Sequence, residues 1–450
     1  MAKSSNSYQQ FSINTLLVLG LFCTCSAFGS AAFAEEEEGA GGEALPEGIL
    51  PVPDYSGSLS ERKFMLGDLG GKRTELANKG LQFTVNSLTW ADSFVDGGTR
   101  SNTRFGGNLT YDITWDLMRA GIMPGALISL RAESRWGDSG NFSTGQIVSP
   151  NTGALTPTNY SSMDDGYDLA LTQLVYTQFV SEKVGFLIGK LDLFGEGDTN
   201  EFAGGRGWTQ FSNWSLNFGT SNLALPASTV GLGTIILPNE NTTITALFTS
   251  GTECVDSDCF DDLDDKGKVA IGTIAYQYNM GGKPGGINGQ AVYLFDKEFT
   301  ELNSLAFNLG DAIAGGSIGD GFDFGSEDSS WIVGGSFWQY VSVKDTVRGP
   351  LNLTNRVPDL RGWGVFGRLY LADEDTNPWK TAVALGVGGT GILDSRPDVL
   401  FGVGDYYNDQ SISLFDDNVD VGRGLEVFFY FAITPSVRFS TSVQWIKAVS

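Results

Sequence analysis

Histidine is absent from all 450 residues. This removes the Ser/His/Asp and Cys/His hydrolases, every His-ligated metal site, and any barrel-borne lipase or protease that needs histidine as its base. Proline is scarce, 14 residues against 60 glycines, which suits many turns and excludes a collagen-like or proline-rich chain. Basic residues are in deficit, 28 against 53 acidic. The net charge of -25 argues against nucleic acid as a partner and against a basic membrane-surface anchor. After the first 34 residues, no segment reaches the about 18 apolar residues that a membrane-crossing helix needs.

What is present is period-two patterning. Residues 105–117 read FGGNLTYDITWDL: odd positions carry Phe105, Leu109, Tyr111, Ile113, Trp115 and Leu117, and even positions carry Asn108, Thr110, Asp112, Thr114 and Asp116. A strand sends successive side chains to opposite faces, so one face here is apolar and the other polar and twice anionic. In a membrane barrel the first face meets lipid and the second lines the lumen. Tyr111 and Trp115 suit a membrane interface.

The chain opens with Lys3, an apolar run from Leu16 to Phe22 and a small-residue ending at Ala32-Phe33-Ala34. This pattern predicts a secretory signal peptide over 1–34, cut after Ala34, which would carry away Cys23 and Cys25. Residues 35–60 form an acidic, Pro-containing flexible linker by composition. Residues 61–80 predict a short periplasmic helical segment, helical from about Gly71 to Lys79 and stopped at Gly80.

From residue 81 to 450, fifteen strand candidates follow: 82–91, 105–117, 125–136, 169–180, 184–193, 230–237, 241–249, 268–279, 289–297, 331–343, 361–371, 379–389, 399–408, 424–433 and 437–446. Short links at 118–124, 181–183, 238–240, 280–288 and 434–436 alternate with mostly longer ones at 137–168, 194–229, 250–267 and 298–330. Outer-membrane barrels have this asymmetry of short periplasmic turns and long outer loops. The fold class expected is all-β, a transmembrane antiparallel barrel of about 16 strands. Such barrels close on an even number, so a descending strand beyond Ser450 is expected to complete it.

Charge falls on one parity of several strands: Arg131, Glu133 and Arg135; Lys190 and Asp192, opposed to Leu187, Leu191 and Leu193; Arg368; Glu426; Arg438. Facing lipid near the midplane, each Arg or Lys would cost about 2 to 4 kcal/mol, so these charges point inward with Asp112 and Asp116. Each is either a wall salt bridge or a solute contact. Sugars are bound by planar polar groups and by aromatic faces; Arg131, Glu133 and Arg135 with Trp208, Phe211 and Trp214 could supply both.

Cys254 and Cys259 can close a small loop in an exported chain, worth about 2 kcal/mol. The Asp residues around them do not match an EF-hand loop and read as a solvated outer loop, so no metal is assigned. No acidic pair stands in a context suited to glycoside hydrolysis, and no catalytic residue or cofactor is assigned. Gly281-Gly282 and Gly285-Gly286 flank Pro284 and read as turn chemistry.

The segment MLGDLGGKRTELANKGLQF (65–83) resembles the N-terminal signature of the carbohydrate-selective porins, the OprB-like outer-membrane proteins. The resemblance runs through FGGNLTYDITWDL, the PGA turn at 124–126, VGFLIGKLDL (184–193), GWGVFGRLYLADEDTNPW (362–379), SRPDVLFGVGDYYN (395–408) and ITPSVRFSTSVQWI (433–446). It implies a sixteen-stranded outer-membrane barrel through which sugars diffuse, favoured over ions by Arg and Glu residues at a constriction. The family pattern ends with one more strand, and the Cys-bearing acidic loop is not part of it.

These readings converge on passive diffusion of mono- or disaccharides, with outer-membrane lipid around the barrel and the oligomeric state, monomer or trimer, left open. Two alternatives stand beside it: a general cation-preferring porin, which the acidic balance allows, and a secreted β-protein that binds or cleaves glycans.

Overall fold

The computed structural model describes residues 9–19, 48–97, 103–141, 149–155, 167–194, 200–204, 207–217, 225–255, 257, 259, 263, 266–300, 326–344, 360–411 and 421–447. Sixteen strands form one closed antiparallel barrel. They are β1 (Gln9–Leu19), β2 (Leu81–Asp96), β3 (Thr103–Asp116), β4 (Ala126–Gly137), β5 (Tyr167–Ser181), β6 (Val184–Asp192), β7 (Ser228–Asn239), β8 (Thr242–Ser250), β9 (Lys268–Met280), β10 (Lys283–Thr300), β11 (Ser326–Val343), β12 (Gly362–Ala372), β13 (Trp379–Thr390), β14 (Leu400–Gln410), β15 (Val421–Thr434) and β16 (Val437–Lys447). Closure satisfies every strand edge, the condition for crossing a bilayer with sheet. No helix among the described residues is long and apolar enough to cross a membrane, so the strands do the crossing.

The opening pattern of β3 is borne out from Phe105 to Asp116, while Leu117, expected on the lipid face, lies past the strand end and is buried. Phe105, Ile113 and Trp115 stand exposed on the outside, while Asn108, Thr110, Thr114 and Asp116 are buried on the inside. The same outward apolar face continues with Leu369 and Leu371 on β12, Phe429 on β15 and Trp445 on β16. In water so much exposed apolar surface would drive aggregation; in a bilayer it meets hydrocarbon.

The alternation breaks on β6. Phe186 and Ile188 face outward, yet Lys190 and Asp192 are buried inside, and Leu187 and Leu191 are buried rather than facing lipid as the parity predicts. The phase changes at Gly189, whose φ is 144°. A Cβ there would stand 2.1 Å from the Leu174 carbonyl oxygen, so only glycine allows this turn of the strand.

One further expectation is corrected. The β9–β10 link is Gly281-Gly282 alone, both with positive φ, and Gly285 and Gly286 lie inside β10. They are strand residues because Tyr278 and Trp338 rings occupy the space that side chains would need. At the barrel seam β1 pairs with β16 from Gln9↔Lys447 to Leu19↔Val437, and with β2 on its other edge. It comes from within the stretch read as a signal peptide. Without β1, the β2 and β16 edges would each carry a row of unpaired backbone groups for another extended segment to satisfy. Ala34 lies outside the described residues.

The helix α1 (Lys72–Asn78) forms as expected and ends at Gly80. It packs against β2. Arg73 is sandwiched by the rings of Tyr55 and Phe64 at 4.2 and 4.4 Å and donates to the Phe83 carbonyl at 2.7 Å. Asp116 accepts from the Leu50 and Arg119 N–H groups, each at 3.0 Å, and Arg119 donates to the Leu50 carbonyl. Asp116 therefore fastens the N-terminal segment to the barrel.

Candidate functional site

The charged face gathers on neighbouring strands. Register puts Asp112 of β3 directly opposite Arg131 of β4, and the phase change at Gly189 brings Asp192 of β6 inward to meet them. Arg131 donates from Nε to Asp112 at 2.7 Å and from Nη1 to Asp192 at 3.1 Å. A guanidinium fixed by two carboxylates is both neutralised and oriented. Beside it, Thr110 donates to Glu133 at 3.3 Å, and Arg135 donates to the Ala154 carbonyl at 3.2 Å. Lys190 donates to the carbonyls of Cys254 and Ser257. Arg438 lies 5.4 Å over the Tyr430 ring.

Three outer loops fold down inside the barrel. The β4–β5 loop is held by Asp92, which accepts from the Asn151 amide and the Gly140 N–H, and by Asn108, which donates to the Gly153 carbonyl at 2.7 Å. The β6–β7 loop crosses to the far wall. There Glu426, fully buried, accepts from Ser212 N at 2.8 Å, Ser212 Oγ at 2.9 Å, Asn213 N at 2.9 Å and Ser442 Oγ at 2.7 Å. Arg368 donates to the carbonyls of Ala203 and Leu216 in the same loop. The two loops also bond each other, Thr152 N to the Ser212 carbonyl at 2.8 Å and Trp214 N to the Ser149 carbonyl at 2.9 Å.

The third loop, between β8 and β9, contains the Cys254–Cys259 disulfide, whose Cα atoms are 5.4 Å apart. Glu253 accepts from the N–H groups of Ala227, Ser228, Cys254 and Val255. Burial nevertheless pushes its carboxyl above the ordinary glutamate range, against the pull of those four donors. Val255 packs with Trp214, Phe194 and Trp379, tying this loop to its neighbour. No group of three or more metal-ligating residues gathers among the described residues. Asp256, Asp258, Asp261, Asp262, Asp264 and Asp265 lie outside them.

A closed sixteen-stranded barrel narrowed by loops is matched by sequence. Residues 101–448 match the carbohydrate-selective porin, OprB family. The chain belongs to this family. It is a carbohydrate-selective porin of the bacterial outer membrane. Two solved structures share its fold, the high-pH and low-pH structures of Pseudomonas putida OprB. The first is 16% identical with a TM-score of 0.66, covering 87% of this chain and 100% of that one. The second is 14% identical with a TM-score of 0.51, covering 86% and 99%. Comparison with curated protein sequences finds no match.

The ten lumen candidates of this porin thus divide. Arg131, Asp112, Asp192 and Glu133 form one cluster on the wall, whereas Arg135, Lys190, Arg368 and Glu426 hold loops, Asp116 holds the N-terminal segment, and Arg438 lies against Tyr430. Phe211 and Trp214 are buried in packing, and Trp208 is half-buried against the same aromatic cluster. Sequence reading placed Asn108 on the lumen face but did not foresee that Asp92, Asn108, Asn408 and Gln444 receive the loops. Their signal was present: all are on the inward parity of strands, where a polar side chain needs a partner.

Proposed function

We propose that mono- and disaccharides pass through the space left between the Arg131 cluster and the inward loops, without catalysis or a cofactor. The observation that supports this reading is the Arg131 guanidinium, held by Asp112 and Asp192 at 2.7 and 3.1 Å. A planar donor group oriented in advance, with carboxylates beside it, offers both hydrogen-bond donors and acceptors to sugar hydroxyls. Weak, repeated bonds of this kind let a solute enter and leave. Ions lose the advantage because the cluster contains both signs.

Planar-bilayer conductance of the refolded protein, titrated with glucose and with a disaccharide, tests the reading. Concentration-dependent block of the ion current is expected. Conductance with no block by any sugar would leave the general cation-preferring porin, which the net charge of -25 favours.

Export through residues 1–34, cut after Ala34, belongs to the same proposal, with 35–60 as a linker. The cut would remove β1 and leave β2 and β16 to pair with another strand. N-terminal sequencing of the protein from outer membranes decides: a start at Glu35 supports the cut, and a start before Gln9 assigns β1 to the barrel.

A further inference from the structure

Glu426 on the barrel wall is fully buried beneath the β6–β7 loop and, like Asp92 beneath the β4–β5 loop, meets only neutral donors in the bonds described. We infer that Glu426 of β15 is the positioning residue for the constriction, acting through the β6–β7 loop and not by touching solute. The inference deepens the permeation reading above and rests on it.

Glu426 is separated by 214 residues from the loop it holds. One carboxylate oxygen takes the Ser212 N–H, the Ser212 hydroxyl and the Ser442 hydroxyl; the other takes the Asn213 N–H. An ionised carboxylate is acceptor-only, with about four lone-pair sites, and here four donors converge on it. The neighbouring wall repeats the pattern with neutral groups. Gln444 accepts from the Asn213 amide at 3.0 Å and donates to Ser212 Oγ and to the Pro150 carbonyl, each at 2.8 Å. Asn408 donates to Ser215 Oγ at 3.0 Å. Ser212 to Ser215 is therefore the point where the β6–β7 loop, the β4–β5 loop and the β14–β16 wall join.

The wall is also shaped for the loop. Inward-facing Gly402 and Gly404 leave room for the Phe211 ring; a Cβ at either would come within 3.0 Å of it. Phe211 then stacks edge-on to Phe428 at 4.8 Å. Packing places the loop against the wall, and Glu426 fixes its height and register there. A carboxamide at 426 has one acceptor oxygen in place of two and brings two donors where donors already crowd.

Glu426→Gln tests this. Folding is read from heat-modifiable migration, loop release from hydrogen exchange of the Ser212 and Asn213 amides, and pore size from single-channel conductance and the largest malto-oligosaccharide admitted to liposomes. Expected are a folded barrel, faster exchange at both amides, a conductance raised about twofold or more, and admission of a longer oligosaccharide. Cross-linking Ser212→Cys to Ser442→Cys in the Glu426→Gln background, at positions whose hydroxyls lie 3.5 Å apart, should restore wild-type conductance and size limit. A folded Glu426→Gln with wild-type exchange and conductance overturns the inference, as does an opened variant that the cross-link leaves open. If Glu426→Gln does not fold, Ser212→Pro removes the N–H and the hydroxyl from the loop side and leaves the wall intact. An unchanged size limit in that variant is equally fatal. Loop release with a wider pore, in a wild type that no sugar blocks, would sink the sugar reading and leave the positioning role standing.

Discussion

The lumen wall on β3–β6 and the wall on β11–β15, half a barrel away, receive inward loops by different physics. On β3–β6 the inward positions hold charge: Asp112, Arg131, Glu133, Arg135, Lys190 and Asp192. On β11–β15 they hold rings and glycines, with Trp338, Tyr340, Phe366, Tyr406 and Phe428 forming a cluster around Phe202 and Phe211 of the loop, and with Arg368 and Glu426 as charged side chains bonded to it. Buried charge is costly unless paired, so the first wall is stable only as a complete set. Apolar packing is graded and tolerates small losses. The difference assigns the walls separate work: one presents polarity to the lumen, and the other seats the element that narrows it.

The strongest way to break this division is Gly189→Ala. The φ of 144° and the Leu174 carbonyl at 2.1 Å leave no room for a Cβ, and relief would turn Lys190 and Asp192 out of phase. A loss of well over about 2 kcal/mol is expected, seen as failure to assemble or as heat-modifiable migration lost at lower temperature.

Arg131→Ala attacks the first wall alone. It leaves Asp112 and Asp192 without their shared cation, so the reversal potential in a salt gradient should shift toward cation preference. Sugar block should weaken about tenfold, the size of one lost charged hydrogen bond. Gly402→Val attacks the second wall. Its side chain would collide with Phe428 at 2.3 Å and Phe211 at 2.8 Å, an overpacking of about 1–3 kcal/mol that lifts the loop. Conductance should rise with little change in reversal potential. If both variants change ion preference equally, the walls do not have separate roles.

A smaller effect is expected at the third loop. Lys190→Met removes the bonds to the Cys254 and Ser257 carbonyls, and conductance should rise slightly. Reducing the disulfide with dithiothreitol should act in the same direction and add little to that variant. The smallest effect concerns pH. Burial raises the Glu253 carboxyl above its unfolded value, so its contribution is complete below the ordinary glutamate range and is lost as pH rises through the raised value. Current noise should therefore grow with rising pH across that window, and Glu253→Gln should flatten the dependence.

Much of the barrel was legible because lipid on one side and a wet, polar lumen on the other force period two on each strand. The fifteen strands from β2 to β16 lie where their patterns place them, several of them longer than expected: β2 runs to Asp96, β10 starts at Lys283 and β11 at Ser326. Legibility failed where a single backbone angle decides, as at Gly189. The loops were illegible for a second reason. Residues 200–217 have no period, and their place is set by partners such as Asn200 with the Phe337 carbonyl and Tyr340 with Glu201, far away in the chain. Parity marked Glu426 and Arg368 as inward but could not say that a loop, not solute, would meet them.

The separation of Glu426 from Ser212 also imposes an order of events. The loop belongs to the first half of the chain and its fastening to the last two strands, so the fastening cannot form until those strands have joined the sheet. A barrel stalled before that point would have its loop but nothing to hold it. Completing the wall and narrowing the passage are then one step, and an unfinished molecule cannot be a selective one.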